Sequence, residues 1–122
     1  MSDLSVPAYL FVIDHRGGRG LADPEVLETA VREAAAAAGA DILTAEFALR
    51  PDASGPAGVA WLRNGRITAQ CWAELEYAQF DLIIPGEGAA QRAADQLARS
   101  LLPDWAKVTA VPLNHLSHLP PD

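Results

Sequence analysis

"WLRNGRITAQCWAELEY", Trp61 to Tyr77, decides how this chain folds. After Asn64-Gly65, apolar residues alternate with polar ones, the period-two signature of a strand with one buried face. Asn-Gly is the strongest short-range hairpin signal, because a type I′ turn needs positive φ at both central residues. The stretch therefore predicts two antiparallel strands, "VAWLR" and "RITAQCWA", joined at Asn64-Gly65. In the second strand Ile67, Ala69, Cys71 and Ala73 take the natural core face. Thr68, Gln70, Trp72 and Glu74 take the other.

Working outward, "PAYLFVID" (Pro7–Asp14) reads as a mostly buried strand of aromatic and β-branched residues. The Gly-rich loop "HRGGRGLA" follows. Asp23 is then a helix N-cap, with Pro24 at the first helical position and Glu25 beside the positive end of the dipole. The helix runs through "PEVLETAVREAAAAAG", and Gly39 suits its C-terminal exit. "DILTAEFALR" is a second strand and "PDASGPAG" a loop. After the hairpin come the strand "YAQFDLII", a break at Pro85-Gly86, and the helix "EGAAQRAADQLARSLL", ended by Pro103. "AKVTAVPL" closes as a strand, and residues 113–122 are expected to form a frayed tail. The reading is one α+β domain over residues 1–122: a mostly antiparallel sheet with two helices packed on one face. The bare other face calls for a cover, which predicts a homodimer.

Composition narrows the function. The net charge of −7 and pI of 4.8 argue against nucleic acid and anionic membranes as partners, since both need a basic face. Cys71 is the one cysteine, so no internal disulfide forms and a reducing cytoplasm fits. The apolar run near the start is too short for a signal peptide or a membrane span.

Beyond these physical limits, the order of elements resembles the short prokaryotic S-adenosylmethionine decarboxylases. The resemblance spans roughly Tyr9 to Leu113. It is carried by "ADPEVLETAVREAAAAAGADIL" and "GVAWLRNGRITAQCWAELEYAQFDLIIPG", where Trp72, Glu74, Tyr77, Ala78, Asp81 and Gly86 match the family. It implies an S-adenosylmethionine decarboxylase-like sandwich with its site over the sheet, near a protomer contact. Members of that family cleave themselves before a serine in a Glu-Ser-His turn, and the serine becomes a pyruvoyl group. Here Asn64, Gly65 and Arg66 stand at those three positions. Gln70 stands for the processing histidine and Pro85 for the proton-donating cysteine. Near Leu49-Arg50-Pro51 the adenine-stacking aromatic is replaced. Glycine has no hydroxyl to start the acyl shift, and glutamine does not shuttle protons near neutral pH. Attack by Cys71 or Thr68 instead is disfavoured by their mid-strand positions.

The expectation is therefore a protein that is not an active decarboxylase and uses neither cofactor nor metal. Its fold would be recruited as a small-molecule enzyme, a cyclase or cycloaddition catalyst in polyketide-like secondary metabolism. Gln70, Glu74 and Thr68 are the expected catalytic residues. Trp72, Trp61, Tyr77 and Arg66 are expected to bind substrate. The alternative is a catalytically dead regulatory partner of an active decarboxylase in polyamine synthesis. Each residue also has a plainer reading. Trp72 and Trp61 suit core or interface packing, Glu74 a surface charge, and Arg63 with Arg66 a solvated pair guarding an edge. His115 and His118 have metal-ligand spacing but no third ligand nearby. "GGRG" reads as a plain loop, since Asp23 repels an anion. Asp14 and His15 read either as an acid–base pair or as part of a strand-end turn.

Overall fold

A computed structural model describes residues 9–113 of the chain. Six strands and two helices follow in the order β1 (Tyr9–Arg16), α1 (Pro24–Ala37), β2 (Ile42–Leu49), β3 (Pro56–Leu62), β4 (Gly65–Trp72), β5 (Tyr77–Ile83), α2 (Glu87–Leu101) and β6 (Trp105–Pro112). The strands form one sheet in the order β2-β3-β4-β5-β1-β6, and every neighbouring pair is antiparallel. Helix α1 links β1 to β2, and α2 links β5 to β6. The two helices pack on each other and against the same side of the sheet, as expected from the sequence.

Local chemistry sets the helix ends. Asp23 accepts a hydrogen bond from the Glu25 amide at 2.9 Å, and Pro24 opens the helix. Gly39, at φ 71°, lets the chain leave α1 in a left-handed exit, with its N–H on the Ala36 carbonyl and the Ala40 N–H on that of Ala35. The core lies between helices and sheet. Leu27, Val31, Ala34, Ala93 and Leu97 meet Ile13, Ile67, Ala69, Phe80 and Leu82, all essentially buried. The alanines of both helices let them sit close to the strands and to each other.

Three local expectations change. The hairpin turn is Arg63-Asn64, with Leu62 paired to Gly65, and neither Asn64 nor Gly65 has positive φ. A type I′ turn at Asn64-Gly65 is therefore wrong by one residue. The two registers put the same side chains on the same faces, so alternation alone does not choose between them. Two tertiary contacts favour the observed one. The Arg63 N–H bonds the Asp41 carbonyl at 3.2 Å. A Cβ at Gly65 would overlap the Ile83 carbonyl oxygen, so only glycine fits this close approach of β4 to β5.

Second, β4 ends at Trp72. Ala73–Leu75 form a 3-10 turn closed by Glu76 at φ 48°, so Glu74 does not continue the strand's polar face. Third, β1 runs on to Arg16, so Asp14 and His15 are strand residues pointing to opposite faces and form neither a turn nor an acid–base pair. The expected frayed tail and the pair His115 and His118 lie outside the described residues, apart from Leu113.

Candidate functional site

Among the described residues nothing covers the face of the sheet away from the helices, and antiparallel pairing fixes which side chains share it. From β3 across to β6 it carries rows running from Trp61 through Arg66 and Ile83, from Val59 through Thr68 and Asp81, and from Ala57 through Gln70 and Gln79. A last row joins Trp72, Tyr77, Arg16 and Trp105. Six of the seven residues singled out from sequence, Thr68, Gln70, Trp72, Trp61, Tyr77 and Arg66, thus lie on one open face. Trp61 is 48 % exposed, which excludes core packing within the chain. Glu74 is the exception, exposed on the 3-10 turn at the end of this face.

Arg50 organises the end of this face around Trp72, and no local pattern in the sequence marks it for that role. It follows β2, and its guanidinium reaches across β3 to the end of β4. Nε donates to the Gly55 carbonyl at 3.3 Å, one terminal nitrogen to Gln70 Oε1 at 3.2 Å and the other to the Cys71 carbonyl. The same group lies 4.8 Å from the centre of the Trp72 ring, a cation–π contact. Trp72 in turn stacks on Tyr77, with ring centres 5.4 Å apart and planes 25° from parallel. Gly55 makes this arrangement possible, because a Cβ there would strike the Cys71 carbonyl oxygen that Arg50 holds.

Tyr77 donates its hydroxyl hydrogen bond to Asp14 Oδ1, from the neighbouring strand. That bond, together with burial and the Asp14 charge, pushes the phenol up to about 12. At neutral pH Tyr77 is therefore a fixed donor and not a base. Asp81, opposite Thr68, has its Oδ1 buried with no hydrogen-bond partner among the described residues. Buried carboxylate oxygens are almost always satisfied, so this orphan marks an acceptor to which the described residues supply no donor. Sequence reading had used Asp81 only as a family match.

Two reactive side chains belong to the opposite face. Burial raises the Cys71 thiol to about 11, which leaves it a protonated packing group and no nucleophile. His15 is buried beside Phe80, their ring centres 5.1 Å apart. Burial lowers its pKa to about 4 despite the nearby Asp14 charge, so it is neutral at pH 7. Among the described residues no group of three or more His, Cys, Asp or Glu is placed to hold a metal ion. No helix among them is long and apolar enough to cross a membrane.

The sequence profile of one family, described as S-adenosylmethionine decarboxylase, matches residues 12–112. The fold is similar to the crystal structure of the adenosylmethionine decarboxylase from Aquifex aeolicus VF5, with a TM-score of 0.74 and 17 % sequence identity. That likeness covers 97 % of this chain and 100 % of the other. No curated protein matches the sequence.

Proposed function

From the premise that this chain belongs to the S-adenosylmethionine decarboxylase family, we propose that it keeps the family's fold without the family's chemistry. It acts on a small molecule over the open sheet face, without a cofactor. The pyruvoyl group does not suit the residues present. Gly65, at the position expected for the self-processing serine, lies where any Cβ would overlap the Ile83 carbonyl oxygen. No step is therefore routed through that group.

The observation that carries the reading is the orphan Asp81 Oδ1 on an uncovered face. It is a hydrogen-bond acceptor opposite Thr68 in the β4–β5 register, one row away from Gln70 and the Arg50 guanidinium. Reactions that suit such a set are cyclisations or cycloadditions. Holding a flexible substrate in one reactive conformer removes up to ~7–11 kcal/mol of barrier in favourable cases. Donors aimed at a carbonyl oxygen add to that. In this assignment Trp72 and Tyr77 form the wall, Arg50 and Gln70 polarise an oxygen, and Asp81 accepts a hydrogen bond in place of Glu74, the catalytic residue expected from the sequence. Trp61 and Arg66 border the site at the hairpin end. A homodimer is part of the proposal, the second copy closing the face from water, and sedimentation of the purified chain tests it.

Deleting the gene and comparing small-molecule profiles tests the function. Loss of one complex product with build-up of an uncyclised or isomeric precursor is the expected result. Complementation with Trp72→Ala/Gln70→Ala should fail to restore the product. A fall in spermidine with other metabolites intact would instead favour the alternative, a regulatory partner of an active decarboxylase, for which the same uncovered face would be the contact surface.

A further inference from the structure

The last row of the open face continues past Tyr77 into a groove of about 510 Å³. Asp14, Arg16, Leu75, Tyr77, Trp105 and Lys107 line it. Its composition runs against the chain as a whole. The protein carries a net charge of −7, yet this groove holds two cations and one acid. That acid, Asp14, is already engaged by the Tyr77 hydroxyl. Lys107 sits opposite Asp14 in the β1–β6 register, and Arg16 sits between Tyr77 and Trp105. Among the described residues neither cation makes a salt bridge. Two large apolar side chains, Trp105 at 48 % and Leu75 at 68 % exposure, stand open beside them.

Free cations next to exposed apolar surface fit a ligand with both characters. We infer that this groove binds the anionic head of a flat, largely apolar small molecule, a carboxylate in the simplest case. Arg16 and Lys107 would take the head group, and Trp105 and Leu75 the first part of the apolar body. The body then runs along the Tyr77 and Trp72 rings towards Gln70 and Asp81. Arg16 suits the head because a guanidinium meets a carboxylate with two parallel hydrogen bonds. The Tyr77–Asp14 bond holds the one acid of the groove in place without removing its charge, so Arg16 and Lys107 leave the groove net positive by one. The inference deepens the proposed function by naming its substrate class, and it relies on that reading for where the reaction occurs.

The test titrates the full chain into 1-pyrenebutyrate and, separately, the neutral 1-pyrenebutanol, following pyrene fluorescence anisotropy. The acid should bind about tenfold or more tightly than the alcohol, the size expected for charge-assisted bonds. Arg16→Gln/Lys107→Gln should reduce that preference to about twofold or less, and Arg16→Lys should keep part of it. Trp105→Ala should weaken both probes alike. All these side chains are exposed, so circular dichroism should be unchanged throughout. Equal binding of acid and alcohol by the unaltered chain would overturn the inference. So would a preference that survives Arg16→Gln/Lys107→Gln. The two readings fail separately. Acid-selective binding with an unchanged metabolite profile on gene deletion rejects the enzyme and keeps the anion groove. A lost product with no acid preference does the reverse.

Discussion

The two faces of this sheet are built from the same strands and do opposite work. The covered face is almost wholly apolar, with Phe80, Ile67, Ile13 and Leu82 sealed under two alanine-rich helices. Its one polar exception, His15, is held neutral. The other face alternates aromatics with charges and amides: Trp61, Arg66, Thr68, Asp81, Gln70, Trp72, Tyr77, Arg16 and Trp105. Stability is concentrated on the first face, so the second is free to carry polar groups that a core would not tolerate. The contrast teaches where to look for function. A buried carboxylate oxygen without a donor costs stability wherever it sits, and here it lies on the side that the described residues leave uncovered.

The contrast is sharpest where the core is cut. Phe80→Ala should lower unfolding free energy by ~3–5 kcal/mol, read from urea denaturation, because the side chain is sealed between sheet and helices. A loss near that of an exposed residue would break the division between the faces. Gly65→Ser sits at the junction of strands β4 and β5. It should destabilise the fold by about 1–3 kcal/mol through overlap with the Ile83 carbonyl, and it should not start self-cleavage. A stable, self-cleaving Gly65→Ser would show that the family's chemistry needs only its serine here.

His15 gives a smaller and pH-dependent signature of the covered face. Its folded pKa, about 4, lies below the ordinary 6.5. The unfolded chain therefore binds a proton between those values that the folded chain refuses. The stability this implies is full above pH 6.5 and is lost as pH falls from 6.5 towards 4, by up to about 1.4 kcal/mol per pH unit. His15→Phe should flatten the difference in urea midpoint between pH 7.5 and pH 5. The smallest stability effects belong to the open face. Trp72→Ala should cost about 1 kcal/mol or less, and Asp81→Asn should leave stability level or slightly higher. Both should nonetheless abolish the product in the complementation assay.

Much of this was legible in the sequence because it rests on local signals. Alternation marked the strands, Asp23-Pro24 and Gly39 marked the ends of α1, and Thr68, Gln70 and Trp72 fell together on a face by simple period-two counting. What escaped depended on residues far apart in the chain. Arg50 meets Gln70 across twenty residues and Asp14 meets Tyr77 across sixty-three. The turn moved by one residue because the competing registers bury the same side chains, and a contact with Asp41 settles between them. Glu74 left the strand face because Glu76 adopts a left-handed conformation that no β-pattern announces. The groove between β1 and β6 was invisible because its two cations come from opposite ends of the sequence.

The central claim is that the family's fold persists here without self-made catalytic machinery. The intact mass of the purified chain after prolonged incubation at neutral pH tests it most directly. A single unprocessed species at the mass of the whole chain, 12.9 kDa, is the expected result. Two fragments divided near Gly65, one of them blocked by a pyruvoyl group, would contradict it.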